Sequence, residues 1–76
     1  MKEQLQAIIE SIVSDPTAVT IEEKQEGTEV TFEVRVLDTD MGKVIGKEGR
    51  IAKAIRTVMR AVANKDGKRI NIEFKD

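Results

Sequence analysis

The first segment of the chain has the hydrophobic spacing of an amphipathic helix. Apolar residues recur at the i, i+3, i+4 and i+7 positions that share one helix face, namely Leu5, Ile8, Ile9, Ile12 and Val13. The pair Asp15-Pro16 follows, and proline cannot continue a helix because it lacks the backbone N–H. The pattern predicts a first helix that ends before Pro16.

The next segment predicts a β-hairpin. A strand is expected over residues 18–24, followed by a turn at Glu26-Gly27. Apolar and polar residues then alternate as in a strand with one buried face, and the apolar positions are Val30, Phe32, Val34 and Val36. The hairpin is expected to turn its acidic residues to solvent.

Two helices are predicted after the hairpin. Asp38 or Thr39 can accept hydrogen bonds from the amides of a following turn, which predicts a short helix over residues 40–45 that ends at Gly46. A long helix is predicted from Arg50 to about Asn64. Its predicted core stripe is Ile51, Ile55, Val58 and Val62, and its opposite face carries Arg50, Lys53, Arg56, Thr57 and Arg60.

A last strand completes the predicted order αββααβ. Asp66-Gly67 predicts a turn, and Ile70, Ile72 and Phe74 alternate with polar residues after it. Because two helices separate the second strand from the third, these strands can pair in parallel. The sequence predicts an α+β fold in which helices pack on one face of a three-stranded mixed sheet. Its 76 residues allow a single domain over residues 1–76.

The charge is distributed unevenly along the chain. The whole sequence has 13 basic and 14 acidic residues, a formal net charge of -1. Residues 1–40 carry 3 basic and 10 acidic residues, residues 41–63 carry 6 and 1, and residues 64–76 carry 4 and 3. A polyanion would be attracted to the middle segment and repelled by the acidic remainder.

The composition argues against several classes of protein. The chain has no cysteine and no histidine, which excludes a disulfide framework and removes the commonest metal ligands, so no metal or cofactor is expected. No nucleophile–base pair is apparent, so an enzyme is not expected. Residues 1–14 alternate apolar with charged residues, unlike a secretory signal or a membrane span. A cytoplasmic protein without membrane contact is the expectation.

The segment between the two helices carries the candidate chemistry. Gly46 and Gly49 permit a tight turn and leave no β-carbon to hold a ligand away. Gly49 also lies just before a helix N-terminus, whose free amides attract anions. The basic residues around this turn favour phosphates whatever the base sequence, and they are Lys43, Lys47, Arg50 and Lys53.

The run from Ile45 to Ile51, Ile-Gly-Lys-Glu-Gly-Arg-Ile, resembles the signature of the K-homology (KH) domain. The order αββααβ is similar to the type II, mostly bacterial, arrangement, and the short chain resembles the single-KH proteins of the KhpA family. In KH domains a GxxG loop clamps about four nucleotides of single-stranded RNA, and the bases lie in an apolar groove. The resemblance implies a clamp made of Gly46, Lys47, Glu48 and Gly49, and a groove wall formed or supported by Val44, Ile45 and Ile51.

Other interpretations of the same residues are weaker. A nucleotide-binding P-loop is rejected because the run from Gly42 to Glu48 is one residue short and has Glu where Ser or Thr would hold magnesium. Phe32 and Phe74 occupy apolar strand positions and are expected in the core, which disfavours an exposed aromatic platform for bases. Glu48 places a carboxylate where phosphate should bind, and a modest loss of affinity is expected.

A dimer surface is also predicted. The KhpA resemblance suggests a homodimer or a heterodimer with another KH protein. Ala52, Met59 and Ala63 lie beside the predicted core stripe of the long helix, where they either admit another helix or merely border the core. These three residues are the candidate dimer surface.

The predicted function is non-enzymatic binding of single-stranded RNA with low sequence specificity, as an RNA chaperone or a post-transcriptional regulator. The alternative is an adaptor in which the KH fold serves mainly for dimerisation and RNA binding is weak.

Overall fold

The computed structural model describes residues 1–75. Its helices are α1 (Lys2–Ile12), α2 (Asp38–Ile45) and α3 (Arg50–Lys65), and its strands are β1 (Thr20–Glu26), β2 (Glu29–Arg35) and β3 (Arg69–Lys75). Short 3-10 turns lie at Pro16–Ala18 and Lys47–Gly49. The predicted order αββααβ is confirmed. Within residues 1–75, no helix has the length and apolar character of a membrane span.

The sheet is mixed, as predicted. Its strand order is β1-β2-β3, with β1 antiparallel and β3 parallel to the central strand β2. Val30, Phe32 and Val34 of β2 are fully buried on the face that the helices cover. Within residues 1–75, β3 pairs with β2 alone, so its other side is a free edge of the sheet.

Every helix contributes to a single hydrophobic core over this face. Leu5 and Ile9 of α1, Val44 of α2 and Met59 of α3 all have no exposed side-chain surface. Burying an aliphatic side chain of this size stabilises a fold by about 1.5–3 kcal/mol. The core therefore holds the two ends of the α2–α3 connection in place, since Val44 lies just before it and Met59 lies on the helix that follows it.

Two element starts differ from the prediction for local reasons. β1 begins at Thr20 rather than at residue 18, because Asp15 accepts a 3.1 Å hydrogen bond from the amide of Thr17 and stabilises the 3-10 turn before the strand. α2 begins at Asp38, and neither Asp38 nor Thr39 caps it. Its first turn is closed by the backbone instead, through a 2.8 Å bond from the amide of Asp40 to the carbonyl of Leu37.

The buried face of α3 is not the predicted one. The buried residues are Ala52, Ile55, Met59 and Ala63, whereas Ile51 and Val58 are 38% and 51% exposed. Of the predicted core stripe, only Ile55 is buried. Ile55 is common to both faces and the other three members are each displaced by one residue, which is a rotation of roughly 75° about the helix axis.

The candidate dimer surface is therefore wrong. Ala52, Met59 and Ala63 are 3%, 0% and 1% exposed within a single chain, so they have no free surface for a partner. Close packing of interiors favours an alternation of large and small side chains. Here the alanines fit α3 against the core, while the larger Ile51 and Val58 remain outside.

A charged side chain is buried near the start of the short helix α2. Asp40 is 1% exposed. Its carboxylate accepts hydrogen bonds from the hydroxyl of Ser14, at 2.8 and 3.0 Å, and from the amides of Ser14 and Asp15, at 3.1 and 3.3 Å. Asp40 thus joins the segment after α1 to the first turn of α2, and Lys43 Nζ lies 3.6 Å from it.

The pKa of Asp40 lies below its ordinary value. Burial raises this pKa, but the hydrogen bonds from the hydroxyl and amide of Ser14 and the amide of Asp15, together with the charge of Lys43, lower it further. A carboxylate whose pKa is depressed by folding stabilises the fold above its unfolded-state pKa. That stabilisation is lost as the pH falls through the folded-state value.

Substituting Asp40→Asn is therefore expected to lower the Tm at pH 7, because the amide is a weaker acceptor and leaves its NH2 group facing other donors. The difference in Tm between the two proteins should shrink below about pH 4, where the wild-type carboxylate begins to be protonated in the unfolded chain. Thermal melts from pH 7 to pH 3 measure this. A difference that stays constant over that range would contradict the role of the carboxylate charge.

Candidate nucleic-acid interface

The turn between α2 and α3 starts at a position that requires glycine. Gly46 ends α2 with φ 72° and ψ 178°, a backbone region essentially restricted to glycine. A β-carbon at this position would lie 2.7 Å from Cγ1 of Ile51, the second residue of α3. Both the backbone angle and the close approach of Ile51 therefore exclude any side chain at residue 46.

The second half of the turn is left-handed at two successive residues. Glu48 has φ 57° and ψ 24°, and Gly49 has φ 73° and ψ 15°. A left-handed non-glycine residue costs roughly 1–2 kcal/mol. A β-carbon at Gly49 would meet nothing within 4 Å, so this glycine is needed for its backbone angle alone. These angles redirect the chain from α2 into α3.

Two amides of the turn remain available to a ligand. The amide of Gly46 donates to the carbonyl of Gly42 at 2.8 Å, and that of Gly49 donates to Gly46 at 3.3 Å. Lys47 and Glu48 are the first residues of the 3-10 turn, and amides in this position have no partner within the helix. The N-terminus of α3 also has no side-chain cap. Within residues 1–75, the amides of Lys47 and Glu48 thus have no backbone partner at this corner of the fold.

The four predicted basic residues lie around this corner and differ in their partners. Lys43 is 53% exposed and 3.6 Å from the carboxylate of Asp40. Arg50 Nη2 is 3.7 Å from Glu48 Oε2. Lys47 and Lys53 are exposed, and no carboxylate within residues 1–75 forms an ion pair with either of them. Among the described residues, these two lysines are the cations next to the turn that have no carboxylate partner.

Glu48 points toward solvent and Arg50. Both side chains of this pair are 81% exposed. An ion pair at this level of exposure contributes about 0–1 kcal/mol. Glu48 therefore offsets part of the charge of Arg50 without blocking the amides of the turn.

The apolar residues next to the turn divide into buried and exposed ones. Val44 is fully buried and supports the turn from the core. Ile45 and Ile51 are 37% and 38% exposed, on either side of the glycine-bounded turn. Two partly exposed aliphatic side chains thus border the free amides and the lysines.

The sequence pattern placed Arg56 on the basic face of the long helix but did not indicate the ordered contact that it makes in the structure. Its Nε and Nη2 atoms donate to the carbonyl of Ile72 at 3.3 and 3.2 Å, and its guanidinium carbon lies 5.4 Å from the ring centroid of Phe74. Phe74 is half-buried beneath it rather than part of the closed core. These contacts join residues of α3 and β3 that lie 16 or more positions apart, so no local pattern could have indicated them.

Next to Arg56 an open groove runs between α3 and the free edge of β3. Its volume is about 300 Å³, and it is lined by Arg56, Arg60 and residues 70–73. A second depression of about 380 Å³ continues it toward the end of α3 and shares Arg60, Ile70 and Asn71 with it. The basic face of α3 therefore forms one wall of a groove that starts on the β3 side of the helix.

The family model and the relatives that match this chain all indicate the same family. The family model described as KhpA/KhpB, KH domain, matches residues 2–74. The chain is 48% identical over 74 residues to a Clostridium acetobutylicum protein, covering 97% of this chain and 99% of that protein. It is 44% identical to a Listeria monocytogenes protein, covering 97% of each chain, and 40% identical to a Chlamydia trachomatis protein over 76 residues, covering 100% of this chain and 97% of the relative. All three relatives carry the name RNA-binding protein KhpA.

No solved structure matches the chain. The family match over residues 2–74, the near-complete coverage of the relatives and the αββααβ order with its mixed sheet agree with one another. The chain belongs to the KhpA/KhpB family of KH domains, with the type II arrangement of helices and strands.

Proposed function

We propose that this protein binds single-stranded RNA through residues 46–49 and acts, without catalysis, as an RNA chaperone or post-transcriptional regulator. The observation that carries the proposal is the exposed α2–α3 turn, which combines two available amides with the unpaired lysines Lys47 and Lys53. Backbone amides and lysine side chains donate hydrogen bonds to phosphate oxygens. The name RNA-binding protein carried by the relatives supports RNA as the source of those phosphates.

Phosphate binding at the turn positions a strand but does not read its sequence. A strand held in this way must have accessible, unpaired nucleotides, since KH loops clamp single-stranded backbone. By mass action, a ligand that binds only the unpaired state shifts RNA away from paired structures. Low sequence specificity combined with preference for single strands is the property that an RNA chaperone requires.

The opposite side of the molecule disfavours RNA. On the uncovered face of the sheet, Glu22, Glu33 and Glu73 are direct neighbours across the three strands. Lys24 Nζ lies 3.1 Å from Glu33 and Lys75 Nζ lies 3.1 Å from Glu73, so the row is partly neutralised, and its remaining negative charge repels phosphates. The acidic face therefore supports docking of RNA on the helical side, where the turn lies.

Replacing Lys47 and Glu48 together by Asp is expected to weaken binding of single-stranded RNA by about 10-fold or more, because two carboxylates then face the phosphates. Aspartate tolerates the left-handed angle of residue 48, so the fold should persist. Fluorescence anisotropy with labelled RNA at several salt concentrations measures the loss. The salt dependence of log K should also fall by about 0.7 for each phosphate contact removed.

A control for this double variant is Lys2→Asp with Glu3→Asp at the start of α1. It makes the same change in net charge at exposed positions, and acidic residues are favourable at a helix N-terminus. Affinity unchanged in the K47D/E48D protein, or lost equally in the control, would contradict a clamp at residues 46–49.

Glu48→Gln is expected to strengthen RNA binding by about 2- to 5-fold at low salt. The substitution keeps the shape of the side chain, removes a carboxylate next to the phosphates, and frees Arg50 from a pair that contributes about 0–1 kcal/mol. The same anisotropy titration measures it, and the gain should diminish at high salt. Weaker binding would indicate that Glu48 itself contacts the RNA.

A second candidate function, self-association of the KH fold, is favoured by a different surface. The exposed flank of α3 carries Ile51, Ala54, Val58 and Ala61 at helical spacing, with Val58 51% exposed. These four residues, the α3 flank, form an apolar stripe on the exposed side of the helix. Two copies can pair through the same stripe about a twofold axis, because such an interface uses the same surface of both copies.

Val58→Asp is expected to convert a dimer of this kind into a monomer without unfolding it, because the side chain is exposed in the single chain. Light scattering combined with size-exclusion chromatography measures the mass. Thr57→Asp places the same charge one residue away, off the stripe, and should leave the mass unchanged. A wild-type protein that remains monomeric at high concentration would rule out this second function.

A further inference from the structure

The outer side of β1 is an open strand edge. Within residues 1–75, β1 pairs with β2 alone, so no strand lies along its other side. In an antiparallel pair, alternate residues direct their N–H and C=O groups to the partner strand, and the residues between them direct these groups away from it. No side chain of the described residues forms a hydrogen bond with the backbone of β1, whereas on β3 Arg56 binds the carbonyl of Ile72.

This edge is accessible along most of its length. Ile21 is 7% exposed, but residues 22–29 are all exposed, so the hairpin extends past the helices that cover the core. The exposed part of β1, residues 22–26, spans about 17 Å at the rise of an antiparallel strand. A short extended peptide can therefore pair with it without displacing any element of the fold.

The charges along the edge favour a basic occupant. β1 contains three glutamates and one lysine, a net charge of -2. Glu22 and Glu26 lie opposite Glu33 and Glu29 of β2 in the register of the hairpin. Beside the strand, on the uncovered face of the sheet, a depression of about 370 Å³ is lined by four glutamates, one lysine and one threonine. Side chains of an added strand would lie next to these carboxylates, which attract lysine and arginine and repel acidic groups.

We propose that β1 binds an extended basic segment of another protein as a fourth strand of the sheet. Main-chain hydrogen bonds to the open edge provide affinity, and the side chains of the segment provide specificity. Lysine or arginine is expected opposite Glu22, Glu23 and Glu26. A polar residue is expected opposite Lys24. A second copy of β1 is a poorer occupant, because it would bring together two strands that each have a net charge of -2.

The inference goes beyond RNA binding and does not depend on it, since β1 and the turn at residues 46–49 belong to different parts of the fold. It concerns a protein partner, because the carboxylates of the hairpin repel the phosphates of a nucleic acid.

The test uses the intact protein and a labelled synthetic peptide, Thr-Val-Lys-Val-Thr-Arg-Lys-Val-Thr. Paired antiparallel to β1, this peptide places its basic residues opposite the three glutamates and its central threonine opposite Lys24. A control peptide has proline in place of each valine, which keeps the charge but removes donors that a strand needs. Fluorescence anisotropy should show that the first peptide binds at least about 10-fold tighter than the proline peptide.

Amide hydrogen exchange measured by NMR tests the mode of binding. When the first peptide is bound, exchange should slow at alternate residues of β1, because only those residues direct their N–H groups outward. Attraction between charges alone would leave the exchange of these amides unchanged.

Glu22→Lys with Glu26→Lys should weaken binding of the first peptide by about 10-fold or more, since two attractive cross-strand pairs become repulsive. Each new lysine faces a glutamate of β2, so the hairpin should persist. The matched control is Glu3→Lys with Asp66→Lys, which makes the same change in net charge at exposed positions outside the sheet. It should keep the affinity within about 2-fold. Circular dichroism establishes that each variant is folded.

Four outcomes would overturn the inference. The first peptide could fail to bind, or both peptides could bind equally well. The E22K/E26K variant and its control could lose affinity equally, which would reduce the effect to net charge. Exchange of the β1 amides could slow with rising protein concentration in the absence of peptide, which would assign the edge to a second copy. RNA binding is measured separately with the K47D/E48D variant, so each of these outcomes leaves the proposed function intact.

Discussion

The packing of α3 against the core is the contact on which the rest of the structure depends. Ala52, Ile55, Met59 and Ala63 set the rotation of this helix about its axis. That rotation brings Arg56 over the edge of the sheet and leaves Ile51 free to lie against Gly46. A different rotation of α3 would disrupt the turn, the groove and the α3 flank together, even though no core residue need contact a ligand.

The parts of the fold that follow from local pattern could be predicted from the sequence. Strand alternation, the turns at Gly27 and Gly67 and the glycine-bounded turn were enough for the element order and the mixed sheet. The rotation of α3 could not be predicted, because two apolar stripes adjoin on this helix and hydrophobicity alone favours the one with larger side chains. The choice is made by how closely the helix fits its neighbours, and a sequence pattern contains no information on that fit.

The same limit applies to side chains whose partners are distant in the chain. Asp40 was expected only near a helix start, yet its carboxylate binds Ser14, which is 26 positions away. Arg56 had the spacing of a solvent-exposed residue and turned out to contact β3. The turn at residues 46–49 was easier to identify because its chemistry is contiguous: the glycines, the amides and Lys47 all lie within one short run.

The bond from Arg56 to Ile72 has a further consequence for the free side of β3. An uncovered strand edge is a template on which other chains can add strands, and this is a common route to aggregation. The guanidinium occupies one of the outward carbonyls and places a fixed positive charge beside the strand. A strand of another chain that added to β3 would find the Ile72 carbonyl already bonded. It would also have to remove water from the Arg56 guanidinium. One side chain thus helps keep a short, open sheet from polymerising.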